Sequence, residues 1–286
     1  MFLTLSLLAA AACSQGTSAW LLRESAQAGG AGGTLGGSGE AGASGEAGGG
    51  AAGDANEAGA GGQVPAGPRC PTRFAAQCSP KLSLQNLDTG ENGQLFPDAI
   101  PDPVTTVDCI TRDVCNVLFR RASEIRPRDT LHLILEDYDG VSETWSTGTD
   151  STIHMSTRHL RAIADAKGSV EDEIRGILYY HGTNIYQSDD GNGAALLWVV
   201  QGVGQYVRHS AGYVSDSARK AGGAYSDGGN TTGFFFIWID GQYPDFIYAL
   251  NQSLSPTDNV TWTTQAFTDI TGQSVDKLWA SYQKTF

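Results

Sequence analysis

Polar side chains that could carry chemistry cluster in one segment, residues 171–187, with the sequence EDEIRGILYYHGTNIYQ. Its aliphatic residues and one histidine recur at offsets of three, four, seven and eleven, the spacing of one helix face. The acidic run at residues 171–173 is typical of a helix N-terminus. The last turns of this predicted core helix carry Tyr180, His181, Thr183 and Asn184. A helix that buries polar groups beside aliphatic ones is typical of a functional site.

A second predicted helix, residues 194–211, supplies two more polar side chains. Gln201 and Gln205 lie four residues apart beside an apolar stripe, so they project together from the helix. In zinc peptidases with the His-Glu-x-x-His motif, the two histidines bind the metal and the glutamate is the general base. A third ligand can come from a Glu-x-x-x-Asp motif on the next helix, whose aspartate orients a ligand.

The remaining pattern predicts an α+β fold around these two helices. A strand is predicted at residues 130–136, and a short strand with alternating polar residues, at 152–156, is predicted to lie at a sheet edge. The aromatic run at residues 234–238 indicates core packing. Further helices are predicted at residues 111–122, 158–167, 232–240, 244–253 and 274–284. The expected domain has a small mixed sheet, a central motif helix and several C-terminal helices.

The N-terminal quarter predicts export rather than a fold. Residues 1–12 form an apolar run that is too short to span a bilayer and ends, after small residues, at Cys13. This order is typical of a bacterial lipoprotein signal, which is cleaved before an acylated Cys13. Residues 13–68 are rich in Gly and Ala and predict a disordered tether, followed by a globular domain at 69–286. We expect a chain anchored by lipid to the bacterial cell envelope; the alternative is an ordinary signal peptide and a secreted protein.

The other four cysteines predict two disulfides in an oxidising compartment. Three connectivities are possible for Cys70, Cys78, Cys109 and Cys115, and we expect the local pairs Cys70–Cys78 and Cys109–Cys115. The net charge of −13 and the isoelectric point near 4.6 argue against a nucleic-acid partner, which requires a basic face.

Five segments of the chain resemble the basic secretory protein family of plants and bacteria, a group of zinc metallopeptidases. They are EDYDGVSET, STIHMSTRHL, GILYYHGTNIYQ, LWVVQGVGQYVRHSAGY and SVDKLWASYQ. The family's motif helices read GVLYHEMTHVYQ and GLIEGIADYVRLKAGY, and no gap is needed to align them. The resemblance covers most of residues 109–286 and implies a zincin-like metallopeptidase domain.

At the positions that carry the family's zinc chemistry, this chain has other residues. The first zinc histidine falls on Tyr180, the general-base glutamate on His181 and the second zinc histidine on Asn184. The third-ligand glutamate falls on Gln201, and the aspartate that orients a ligand falls on Gln205. Carboxylates left without their cation in a cleft would be costly, and neutral residues stand at all three carboxylate positions. We expect these side chains to form a neutral polar network and to bind neither zinc nor another cofactor.

We therefore expect a catalytically inactive, peptidase-like lipoprotein that retains peptide or protein binding in the former cleft, along the strand at residues 152–156. One alternative is an active peptidase or other hydrolase with a non-standard site, in which His181 is the base and Tyr180 the acid. Another is a metal site built from His181 and two of His132, His154, His159 and His209. A third is a purely structural domain whose cleft is filled by Tyr180 and Trp198.

Overall fold

A computed structural model of the chain describes residues 70–190, 197–256 and 261–286, together with the backbone of Leu22–Arg23. The predicted signal peptide and the rest of the predicted tether lie outside the described residues. The strands are β1 (Leu22–Arg23), β2 (Lys81–Asn86), β3 (Thr130–Glu136), β4 (Ser142–Thr147) and β5 (Asp150–Ser156). The helices are α1 (Glu91–Ala99), α2 (Pro103–Leu118), α3 (Thr157–Asp165), α4 (Val170–Tyr186), α5 (Leu197–Ser210), α6 (Gly229–Asp240), α7 (Phe246–Ser253), α8 (Gln265–Thr271) and α9 (Val275–Gln283).

The four longer strands form a mixed sheet in the order β4-β5-β3-β2, and the two residues of β1 pair with β4. β2, β3 and β5 run parallel to one another, whereas β4 is antiparallel to β5. The α+β expectation is confirmed.

The prediction that residues 152–156 form an edge strand is wrong, because β5 lies between β3 and β4. Its polar alternation has another cause. Ile153 and Met155 are buried with the aliphatic residues of β3, while His154 lies on the opposite, partly exposed face. The alternation of polar and apolar residues in β5 therefore arises because one face of the sheet is more deeply buried than the other. Among the four longer strands the outer ones are β4 and β2, and sequence patterning identified neither of them as a strand.

The helix α4 lies at the centre of the fold, as predicted. It contacts the helices α1, α2, α3 and α5 and the strand β4. Its first turn is capped by the Ser169 hydroxyl, which accepts the Asp172 N–H, and carries three acidic residues that favour a helix N-terminus. Ile174 and Ile177 are fully buried on its core side. None of the described helices is long and apolar enough to cross a membrane.

The C-terminal helices enclose an aromatic cluster. The run predicted to be core does pack inside: Phe235 and Phe236 of α6 are fully buried and contact Phe267 of α8. Trp198, at the start of α5, stacks on Phe267 and contacts Trp262. α6 packs on α5 along its length, so the cluster supports the second motif helix from behind.

The disulfides pair differently from the prediction. Cys70 is joined to Cys109 and Cys78 to Cys115, with Cα–Cα distances of 4.3 and 6.6 Å. Cys109 and Cys115 both lie on α2, six residues apart, which separates them by about 9 Å along the axis. That exceeds the reach of a disulfide, so the local pair is excluded once this helix forms. Sequence patterning began the helix at residue 111, eight residues after the observed start at Pro103.

Candidate functional site

The two motif helices meet at a close contact between the side chains of α4 and the backbone of α5. Gly204 of α5 faces Tyr180 and Asn184 of α4. A Cβ added at Gly204 would lie 2.8 Å from Tyr180 Cδ2 and 3.1 Å from Asn184 Oδ1, which no real side chain tolerates without displacement. The glycine therefore makes room for the tyrosine ring, which is only 3 % exposed. The first and second zinc-ligand positions of the motif are thus filled by a buried ring and an amide that face the next helix.

The hydrogen-bonding partner of Asn184 is a residue that sequence reasoning missed. Gln187 Nε2 donates to Asn184 Oδ1 at 3.1 Å and to the carbonyl of Val200 in α5 at 3.2 Å. Gln187 follows the last residue of α4 and lies three positions after Asn184, a spacing that places two side chains on one helix face. Among the described residues, the buried Nδ2 of Asn184 and Oε1 of Gln187 have no hydrogen-bond partner. The polar cluster at this end of α4 is therefore an amide pair.

Gln201 and Gln205 pack toward α6 and the loop before it. Gln201 Oε1 lies against Gly228, at 2.1 Å from the point where a Cβ would be, and this glycine has φ of +73°. A Cβ added at Gly233 in α6 would lie 2.6 Å from the Cβ of Gln205. The prediction that the two glutamines share one side of α5 agrees with these contacts. Hydrogen bonding between them and the α4 side chains stays a prediction.

His181 faces a different part of the molecule from Asn184. Its Nε2 lies 2.7 Å from Ser142 Oγ at the start of β4, and both residues are completely buried. Burial lowers the pKa of His181 to about 3, with a further contribution from the positive charge of Arg208. The imidazole is therefore neutral at physiological pH. Its Nδ1 is buried without a hydrogen-bond partner. His181 thus joins α4 to the edge strand and is shielded from solvent.

Three of the other histidines are each paired with a separate carboxylate. His154 Nε2 lies 2.9 Å from Glu136, His159 Nε2 2.9 Å from Glu173, and His209 Nε2 2.8 Å from Asp216. Glu173 also binds Arg208 at 2.9 Å, and this partly buried network lowers the pKa of the Glu173 carboxyl against the opposing effect of its burial. Among the described residues, no three His, Cys, Asp or Glu side chains converge as a metal site requires.

The donor set at the motif positions does not fit zinc. Protein zinc sites use cysteine sulfur, imidazole nitrogen or carboxylate oxygen. Here the three ligand positions hold a phenol and two neutral amides, Tyr180, Asn184 and Gln201. One of the amide groups, Asn184 Nδ2, is a buried hydrogen-bond donor, which repels a cation rather than binding it.

Comparison with known families decides which domain this is. Residues 79–282 match the model of a family described as a peptidase of plants and bacteria. The chain belongs to this family. The resemblance to the basic secretory proteins is therefore confirmed, and the matched range includes both motif helices, the four-stranded sheet and the C-terminal helices. No curated protein and no solved structure matches the chain. The match gives the family of the domain, and the expectation that its motif positions bind no zinc stays a prediction.

A pair of glycine substitutions tests the contact between α4 and α5. Gly204→Ala is expected to lower the free energy of unfolding by about 1–3 kcal/mol, because the new methyl group overlaps the Tyr180 ring. The matched control is Gly182→Ala in α4, where the added Cβ meets only Val114 Cγ2 at 3.6 Å. This control is expected to be neutral or stabilising by up to about 1 kcal/mol, since alanine favours a helix. Urea denaturation measures both; equal destabilisation would contradict the close contact.

The pH dependence of stability tests the burial of His181. Its folded pKa lies below the unfolded value, so the unfolded chain takes up the proton first as the pH falls. The stability that the neutral imidazole supports is complete above about pH 6.5 and is lost toward pH 3, with a slope of up to about 1.4 kcal/mol per pH unit. In His181→Gln this slope should disappear from urea denaturation series between pH 6 and 4.

The control for this measurement is Ser142→Ala. It removes the hydrogen-bond partner of His181 but leaves the ring buried, so it should destabilise the protein by about 1–3 kcal/mol at every pH. The wild-type slope should persist in this variant. A slope that is unchanged in His181→Gln would show that His181 is not the group that titrates.

Proposed function

We propose that this chain is a catalytically inactive member of the peptidase family, which binds extended peptides beside its former zinc site. The observation that carries the proposal is the replacement of every chemical residue of the motif by a side chain that suits packing. Tyr180 fills the space left by Gly204, Asn184 bonds to Gln187, and His181 is buried against Ser142. Each replacement stabilises the junction of α4 with its neighbours and supplies no ligand for a metal.

Electrostatics favours the loss of metal over an altered metal site. A zinc site concentrates carboxylates whose charge the cation balances, and carboxylates without it would carry a large desolvation cost. At the three carboxylate positions this chain has His181, which is neutral, and the amides Gln201 and Gln205. Buried neutral groups need only hydrogen bonds or packing partners. The substitutions are therefore mutually consistent as a set and leave no isolated charge behind.

The rival function, metal-free hydrolysis with His181 as general base, is disfavoured by the position of this ring. A general base must come within hydrogen-bond distance of the proton that it removes. His181 has no solvent-exposed surface, and its Nε2 is engaged with Ser142. Its low pKa also makes it a weak base at neutral pH, since the protonated form is strongly disfavoured. An active peptidase or other hydrolase would need a site elsewhere in the domain.

The peptide-binding part of the proposal rests on β4. In a zincin-like arrangement, which we infer for this domain, the sheet edge beside the motif helix receives an extended ligand. β4 is that edge here, since it contacts α4 through His181 and Ser142. The carbonyl of Val141 accepts the Ser156 N–H, so the alternation of an antiparallel ladder turns the backbone groups of Thr144 and Ser146 away from β5. An added strand can pair there without any metal.

Anchoring to the cell envelope completes the proposal. The two disulfides support an extracellular or otherwise oxidising environment. We propose that Cys13 is the acylated residue that holds the domain at the membrane surface, and that residues 13–68 connect the two. A domain held in this way would bind peptides at the membrane surface and would not cleave them.

Metal analysis and motif restoration test inactivity. After dialysis, the purified wild-type chain is expected to hold far less than one zinc per molecule and to leave casein intact. The restored variant carries Tyr180→His, His181→Glu, Asn184→His, Gln201→Glu and Gln205→Asp, and it should bind one zinc and gain thermal stability when zinc is added. A matched variant with the same changes but with Asn184 kept lacks one ligand and should bind zinc at least tenfold more weakly. One zinc per wild-type molecule would refute the proposal.

Binding of labelled extended peptides tests the role of the β4 edge. Fluorescence anisotropy should detect peptides that bind and remain intact after prolonged incubation. The matched control is the same peptide N-methylated at alternate residues, which keeps the side chains but cannot donate hydrogen bonds to a strand. Its affinity should fall by tenfold or more. Equal affinity for both peptides would exclude strand addition as the mode of binding.

A further inference from the structure

The edge of β4 has a partner from the chain's own N-terminal region. β1 pairs with β4 in antiparallel register, with Leu22 opposite Thr144 and Arg23 opposite Glu143. Thr144 is one of the positions whose backbone groups point away from β5, so β1 adds to the sheet on the outward side of β4. The family match begins only at residue 79, and β1 therefore comes from outside the family domain.

The composition around β1 differs from that of the rest of the predicted tether. Residues 13–68 contain five large apolar side chains, and three of them are consecutive, at Trp20, Leu21 and Leu22. Arg23 is the one lysine or arginine in the same range. The backbone register pairs Arg23 with Glu143, so a residue of basic type stands opposite one of acidic type in the antiparallel pair. A segment needed only as a spacer has no use for this composition.

We infer that the segment containing Leu22 and Arg23 is a built-in ligand of the domain, which docks on the edge of β4 and covers the place where an external peptide would pair. The evidence for self-docking is the register of β1 and the composition around it. The competition with external peptides rests in addition on the proposed function. External peptides then bind only when the segment leaves, so the chain regulates its own edge.

Docking would also limit how far an anchored domain lies from Cys13. With Leu22 paired to β4, only nine peptide units separate Cys13 from the sheet, which limits this distance to about 30 Å. The whole connection between Cys13 and the domain could span roughly 190 Å at full extension. Because β1 belongs to the same chain as β4, pairing is intramolecular, which raises the effective concentration of the segment at the edge.

Disulfide trapping in the full chain tests the docking. In the variant with Arg23→Cys and Glu143→Cys, the two residues face each other at a non-hydrogen-bonded pair, where the Cα separation suits a disulfide. The control carries Arg23→Cys and Thr147→Cys, four residues along β4 and about 13 Å away. Under mild oxidation the facing pair should crosslink at least five times faster, as measured by mass spectrometry of the joined peptides. Equal rates, or no crosslink in the facing pair, would overturn the docking.

Two deletions of nine residues test the competition. Removal of residues 18–26, which include β1, should raise the affinity for the labelled extended peptide three- to tenfold. Removal of residues 41–49, from the Gly-rich region, shortens the linker equally and should leave the affinity near the wild-type value. A faster facing crosslink without any peptide binding would support self-docking and reject the proposed function. Equal peptide affinity in both deletion variants would keep the proposed function and reject the competition.

Discussion

The packing of α4 against α5 at Gly204 is the contact on which the rest of the domain depends. At this point a helix backbone meets the Tyr180 ring with no space for a Cβ, so the two helices approach more closely than side chains would allow. α4 also contacts α1, α2, α3 and β4, and α5 carries α6 on its other side. The sheet and the C-terminal aromatic cluster are therefore connected through one helix pair.

The contacts at the motif positions join α4 and α5 by packing and hydrogen bonding. The Tyr180 ring lies against Gly204, and Gln187 donates both to Asn184 and to the Val200 carbonyl. These side chains are neutral, so the junction carries no charge penalty. None of these contacts depends on a cation, which is compatible with the loss of a zinc site that we propose.

The edge of the sheet connects this junction to the N-terminal region. His181 reaches from α4 to Ser142, the first residue of β4, and β1 pairs with the next two residues of the same strand. An exposed edge is a liability, because it can pair with other chains. In the self-docking that we infer, β1 satisfies the edge of β4 and gives it up to an external peptide.

The sequence alone determined those features that depend on local order. The 3.6-residue periodicity and the acidic first turn defined α4, and the motif residues placed the chain in its family. The expectation that Tyr180, Asn184 and Gln201 bind no zinc stays a prediction. Tertiary structure decided the pairings between distant residues: the disulfide partners, β4 as the edge, Ser142 as the partner of His181, and Gln187 beside Asn184. Cys109 and Cys115 look like a local pair until the helix that separates them is known. Periodicity depends on residues that are close in the sequence, so it predicts individual helices and strands. The pairings listed here join residues that are far apart in the sequence or depend on how the elements pack, so periodicity does not predict them.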